Sequence, residues 1–190
     1  MSSSVGTPWK QLLLCSIQAN SRLNHSSYLQ LATVSANDRP SNRTVVFRGF
    51  MDDTDKILIH SDIRTRKIDD LKHSPFAEIC WYFSDTWEQF RISGRVEVID
   101  GTNTDPSKLE QRASSWFASS LKSRLQYTSP APGIPLSSQQ PLLDDRAGPA
   151  PAFCLLVFDP HEVDYLNLKS SKRVMFSSGS NIWTSEEVSP

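Results

Sequence analysis

The sequence has almost no excess of charge of either sign: 20 Lys+Arg stand against 21 Asp+Glu in 190 residues, a formal net charge of −1. A surface that grips a polyanion through its phosphates carries a clear basic excess, so nucleic acid is not expected as a partner. Any anion bound should be small and locally held. No run of about 18 apolar residues occurs, so no helix should cross a membrane. The cysteines Cys15, Cys80 and Cys154 are odd in number, far apart and without a CxxC pair. They indicate neither a disulfide framework nor a zinc site, and point to a reducing compartment, the cytoplasm. The apolar run at residues 12–15 is too short for a signal sequence. There is no GxGxxG after a strand, no GxxxxGK[ST], no HExxH and no GxSxG, which leaves dinucleotide-fold, P-loop, zincin and nucleophile-elbow chemistry without support. No metal site is expected, because His25, His60, His73 and His161 are scattered.

What is present is a globular pattern, 38% hydrophobic with a mean hydropathy of −0.39, of a length that suits one domain over residues 1–190. Thr7 and Pro8 read as the N-cap and first position of a helix to Ala19. Alternating β-rich stretches at Tyr28–Val34, 42–50 and 57–60, joined by short turns, predict an antiparallel meander. Ser61 or Asp62 could cap a short helix over 64–73, with Ile68 and Leu71 facing inward. Strands are expected at 77–83 and 87–99, with Gly94 marking a bulge. Helical spacing of Leu109, Ala113, Trp116, Phe117 and Leu121 predicts one long helix over 106–125. Six of the 12 prolines fall within 130–151, so residues 126–151 read as a Pro/Ser-rich loop. Strands at 153–158, 163–168 and 174–176 follow, with a break at Asp159 and Pro160. The expected class is α+β, an antiparallel barrel, closed or split, with flanking helices.

The positive charge is unevenly placed. Three windows without an acid, residues 39–50, 63–68 and 169–180, hold nine of the 20 cations. The middle one puts Arg64, Arg66 and Lys67 in the first turn of a predicted helix, where cations oppose the macrodipole by a few tenths to about 1 kcal/mol each. The arrangement makes sense if a phosphate sits there, held by backbone N–H groups and the Ser61 or Thr65 hydroxyl. The alternative is a solvated polar face paired with Asp69 and Asp70. Arg43 and Arg48 are five apart, so a regular strand points them to opposite faces, and both serve one ligand only if the strand bends. Trp81, Tyr82, Trp87 and Trp116 suit core or interface, or stacking on a planar ligand.

The stretches PSNRTVVFRGF (Pro40–Phe50), ILIHSDIRTRK (57–67) and WEQFRISGRVEVI (87–99) resemble the pyridoxamine 5'-phosphate oxidase family, in particular its shorter branch in plants and cyanobacteria. The resemblance implies a six-stranded FMN-binding split barrel, a homodimer, FMN at the subunit interface, and oxidation of pyridoxamine or pyridoxine 5'-phosphate by oxygen. Its flavin and phosphate stretch matches Arg43, Thr44, Val45, Val46, Phe47 and Arg48, its Tyr-Thr matches His60 and Ser61, and its phosphate clamp matches Thr65, Arg66 and Lys67. Gln89 and Arg173 match two further cofactor contacts. On the substrate side Arg48 stands for the family's lysine. The helical Tyr, Arg and Ser fall on Trp116, Ser120 and Arg124, the flavin-side Trp falls on Leu166, and the Arg-Leu-His element is missing. A Gln-Ser pair would fall on Gln139 or Gln140 and Ser138. No catalytic base stands out. These departures leave room for a flavin enzyme acting on another small substrate, or a non-catalytic flavin-binding protein.

Overall fold

In the computed structural model, residues 7–133, 148–179 and 182–190 are described. Helix α1, Pro8–Ala19, buries Trp9, Leu13 and Ser16 on one face. Strands β1 (Tyr28–Val34), β2 (Pro40–Phe50) and β3 (Ile57–Asp62) follow as an antiparallel meander. Helix α2, Arg66–His73, turns Ile68, Asp70 and Leu71 inward. Strands β4 (Phe76–Phe83) and β5 (Glu88–Ile99) form the next hairpin. Helices α3 (Pro106–Phe117) and α4 (Leu121–Leu125) precede β6 (Phe153–Asn167), β7 (Lys172–Gly179) and β8 (Ile182–Val188).

The sheet order is β3-β2-β1-β4-β5-β6-β7-β8, and a further pairing of β3 with β6 closes the first six strands into a barrel. Its interior is filled by alternate residues of every strand, among them Leu29, Leu31, Ile57, Ile59, Trp81, Phe83, Phe90 and Phe158. The closure works because β6 is long. Phe153–Phe158 pair with β3, while the later half, Glu162–Asn167, pairs with β7.

Four sequence expectations need correction. The single helix over 106–125 is two. Ser119 N turns to Trp116 O while its hydroxyl takes Ser115 O, and Ser120 caps α4 by accepting from Ser123 N. These serines compete for the backbone and end α3. The break at Asp159 and Pro160 is absent, since β6 runs through it. Pro160 sits opposite Gly94 beside a register shift that leaves His161 of β6 unpaired, the kind of irregularity at which a strand tolerates proline. Gly94 itself has no room for a Cβ, which would lie 2.5 Å from Asp159 O. The α2 N-cap is Thr65 rather than Ser61 or Asp62, so Arg64 precedes the helix. Strand β8 was not anticipated; its Trp183 packs on Trp9, with ring centroids 5.6 Å apart.

A second small core joins Trp116, Tyr127, Ala150, Ala152 and Phe153. Arg112, buried at the foot of α3, donates to Ala150 O and Phe153 O. Both described ends of the Pro/Ser-rich stretch are thereby fixed beside β3. Residues 134–147, with Ser138, Gln139 and Gln140, lie outside the described residues.

Candidate functional site

A cavity of about 340 Å³ opens between β2, β3, the start of α2 and Tyr127. Alternation along β2 turns Thr44, Val46 and Arg48 toward it, and β3 contributes His60 and Ser61. Ser61 Oγ is buried with no hydrogen-bond partner. The α2 N-cap makes no side-chain bond to the helix, because Thr65 Oγ1 donates to Asp62 O. Lys67 Nζ reaches Thr65 Oγ1 at 2.9 Å, and burial, then the nearby Arg43, pulls the Lys67 pKa down from its ordinary value. An orphaned hydroxyl, uncapped helix N–H groups and a half-buried lysine are the complement of an anion with several acceptor oxygens. The acid in the wall, Asp62, is engaged by Arg64, whose Nη2 lies at 2.6 Å and whose Nε lies at 2.9 Å. A phosphate therefore fits the residues present.

Two other cations expected around the cofactor, Arg43 and Arg66, do not line this cavity. β2 keeps regular register with β1 through Val46, and its register shift against β3 falls between Phe47 and Phe50, where Gly49 has a φ of 116°. Arg43 and Arg48 consequently face opposite ways. Arg43 donates to Leu31 O, Thr33 Oγ1 and the carboxylate of Asp70, and it does not line the cavity. Asp70 is buried and also accepts from Thr33 Oγ1 at 2.6 Å. Asp70 thus pairs with a strand arginine rather than with the cations at the helix start. Arg66 is exposed and stands outside the lining. Val45 lines the cavity and also packs against the core, and Phe47 packs on Trp81.

A larger cavity of about 730 Å³ adjoins the first, and His60 and Arg48 line both. Its far wall is hydroxyl-rich: Ser114, Ser115, Ser119, Ser120 and Ser123 all face it. The segment ASSWFASS makes four of these serines, all but Ser123, visible in sequence, yet of the five only Ser120 was expected at a site. Tyr127, a lining residue of the smaller cavity, has no local sequence signal. Burial pushes its hydroxyl up to about 12. Trp116, expected on the substrate side, is fully buried among Tyr127 and Phe153. Arg124 is buried as well, with its guanidinium over the Trp116 ring at 5.7 Å. Neither lines the cavity, whose one cation among the described residues is Arg48. His60 is edge-on to Phe153 with ring centroids at 5.2 Å, and its Nδ1 lies 3.2 Å from Ser119 Oγ. Burial, then the charge of Arg48, pulls its pKa down to about 4, so the imidazole is neutral near pH 7.

Gln89 and Arg173 belong to a different region. Gln89 lies opposite Leu166 on β6, and Leu166 lies opposite Arg173 on β7. His60 meets β6 at Leu155, which is on the order of 30 Å of extended strand from Leu166. Arg173 is held by Asp164, with Nε and Nη2 at 3.0 and 2.9 Å from its two oxygens, and Arg91 also approaches Asp164 at 3.6 Å. The predicted cofactor residues thus form two groups that one protomer does not bring together.

The model of the pyridoxamine 5'-phosphate oxidase FMN-binding domain matches residues 6–100. An Arabidopsis thaliana protein named pyridoxine/pyridoxamine 5'-phosphate oxidase 2 is 60% identical over 192 residues, covering 96% of this chain and 97% of its own length. The crystal structure of a pyridoxamine 5'-phosphate oxidase-related, FMN binding protein from Nostoc punctiforme superposes with a TM-score of 0.93 at 38% identity, over the whole of both chains. PhzG from Burkholderia lata shares the fold, with a TM-score of 0.71 at 20% identity. The six-stranded barrel, the β2 and β3 motifs beside α2 and these likenesses along the whole chain make it a member of the pyridoxamine 5'-phosphate oxidase family, with that family's FMN-binding split-barrel fold.

Proposed function

We propose that this chain is an FMN-dependent oxidase that converts pyridoxamine or pyridoxine 5'-phosphate to pyridoxal 5'-phosphate with oxygen, and that it works as a homodimer. The observation that carries the cofactor half of this reading is the buried, partnerless Ser61 hydroxyl beside Lys67 and the uncapped start of α2. Ser61, Lys67 and the first α2 N–H groups hold the FMN phosphate, and Thr44, Val45 and Val46 form the wall along which the cofactor runs. FMN, once bound, supplies the two-electron acceptor that no side chain here provides. Arg48 and the serines of the larger cavity receive the phosphorylated substrate. Arg66 joins the phosphate from solvent by a change of rotamer. The separation of Gln89 and Arg173 from this corner supports dimerisation, since a partner's β5–β7 face can supply both to the bound cofactor. Unpaired Cys15, Cys80 and Cys154 fit a reducing compartment such as the cytoplasm.

A second reading, oxidation or reduction of another small substrate, is favoured by one observation. Trp116 and Arg124 pack against each other in the core, so the larger cavity has a single lining cation for a vitamer phosphate. One experiment separates the two. The protein is reconstituted with FMN and pyridoxamine 5'-phosphate is added without oxygen. Bleaching of the flavin bands supports the first reading, while intact bands on an FMN-bound protein support the second. Failure to take up FMN overturns both.

A further inference from the structure

His60 stands on the wall common to the two cavities, and its hydrogen bonding fixes which of its nitrogens carries the proton. Ser119 Oγ lies 3.1 Å from Ser115 O and 3.2 Å from His60 Nδ1. At the end of α3 the Ser119 N–H has turned to Trp116 O. Ser115 O thereby loses the N–H four residues on that a continuing helix would provide, and the Ser119 hydroxyl proton takes that place. A hydroxyl has one proton. With it committed to Ser115 O, Ser119 Oγ can only accept from His60, so Nδ1 bears hydrogen and Nε2 is a bare acceptor. The ring is held edge-on by Phe153 and cannot turn without losing both contacts. Burial, then the positive charge of Arg48, keeps the imidazole neutral.

We infer that His60 is a specificity-determining residue: its bare Nε2 accepts a hydrogen bond from a hydroxyl or neutral amine of the bound molecule at the junction of the two cavities. The inference rests on the proposed function for the identity of that molecule. The same donor chemistry could come from the polyol chain of FMN or from the 4'-hydroxyl of pyridoxine 5'-phosphate. An anionic group at this point is disfavoured, because an acceptor faces it. This also gives the hydroxyl-rich wall a structural purpose, since Ser119 sets the tautomer from behind.

The test begins with nitrogen NMR of the imidazoles in the ligand-free protein, assigned with His60→Phe, and continues with ligand titrations. The expected signal for His60 is the Nδ1–H tautomer, changing to Nε2–H or a mixture in Ser119→Ala. FMN and a 2'-deoxyribityl analogue are then titrated by flavin fluorescence. Pyridoxine 5'-phosphate and its 4'-deoxy analogue are titrated against the FMN-loaded protein without oxygen. His60→Phe, which keeps the ring packing, should weaken one of the hydroxylated ligands about tenfold and leave its deoxy analogue unchanged. His60→Gln should restore most of that loss through its side-chain oxygen. Loss in the FMN arm assigns the donor to the cofactor, and loss in the vitamer arm assigns it to the substrate. An Nε2–H tautomer in the free protein, or equal weakening of hydroxylated and deoxy ligands, overturns the inference. So does binding of both hydroxylated ligands to His60→Phe within twofold of the parent. The tautomer is measured without any ligand, so a failure to bind FMN would remove the proposed function while leaving the NMR result to stand separately.

Discussion

The corner where β3 meets α2 and the outer face of β5, β6 and β7 both carry polar side chains expected around the cofactor, and they handle their valences in opposite ways. At the corner Ser61 Oγ has no partner, the helix start is uncapped and Lys67 is partly desolvated. On the outer face Arg173 is saturated by Asp164, and Arg91 shares that carboxylate and Glu78. The first region is incomplete without an anion. The second is complete by itself and offers an oriented guanidinium edge to something that arrives from outside. The two regions would complement each other in the proposed dimer: one holds an unsatisfied polar group inside a cavity, at a desolvation cost, and the other keeps its charges paired.

The largest effect should come from removing the support behind the corner. Asp70 is buried and holds both Thr33 and Arg43, so Asp70→Asn leaves a partly buried guanidinium without its counter-charge. A loss of about 3 kcal/mol in urea unfolding is expected. An unchanged midpoint would mean that Arg43 turns readily to solvent and that the corner is not anchored from within. Next comes Lys67→Ala, which removes the one cation pointing into the small cavity from α2. FMN affinity should fall roughly 100-fold, about 2.7 kcal/mol, by fluorescence titration, with the fold intact by circular dichroism.

Acid probes the same corner through His60. The folded pKa is near 4 against an ordinary 6.5, so the neutral ring contributes stability in full above about pH 6.5. That contribution is lost as pH falls toward 4, because the unfolded chain then binds a proton that the folded one refuses. Comparing the parent with His60→Phe between these limits should show an extra loss of about 2 kcal/mol in the parent. Parallel pH profiles would show that the imidazole titrates normally.

These tests bear on how much could be read from the chain itself. Arg66 and Lys67 marked the α2 start, because charge that opposes a helix dipole is a local inconsistency visible in sequence, while Arg64 precedes the helix. The alternation of β2 likewise announced that Arg43 and Arg48 face apart. What stayed hidden were partners set by tertiary structure. Asp70 claims Arg43 from 27 residues away, and Arg124 turns onto Trp116 instead of into a cavity. Strand β8 escaped because all its residues are exposed or only half-buried, with charge at Glu186 and Glu187, so no apolar alternation announces it.

Arg173→Ala tests the other half of the comparison. Since the pair with Asp164 is only half-buried on the arginine side, the melting temperature should barely move. FMN affinity should drop about tenfold, and only at concentrations where the protein is dimeric. A drop of equal size in a dilute monomer would place Arg173 in its own protomer's site and dissolve the distinction between the two regions.

The smallest effect is expected from Arg64→Ala, and it separates a neutraliser from a ligand. Arg64 lies beside the anion cavity, yet its guanidinium is occupied by Asp62 and Ser129 O. An exposed pair of this kind contributes under about 1 kcal/mol to folding. Its removal, however, leaves the Asp62 carboxylate uncompensated in the wall of the proposed phosphate site. The expected result is a loss of about threefold in FMN affinity, shrinking as salt is raised, because the repulsion acts through a partly solvated path. Asp62→Asn in the same background should restore binding, since it removes the repelling charge rather than adding a contact. If Arg64→Ala instead costs as much as Lys67→Ala and Asp62→Asn does not rescue it, Arg64 contacts the phosphate directly, and the corner holds the cofactor with one more cation than its resting geometry assigns.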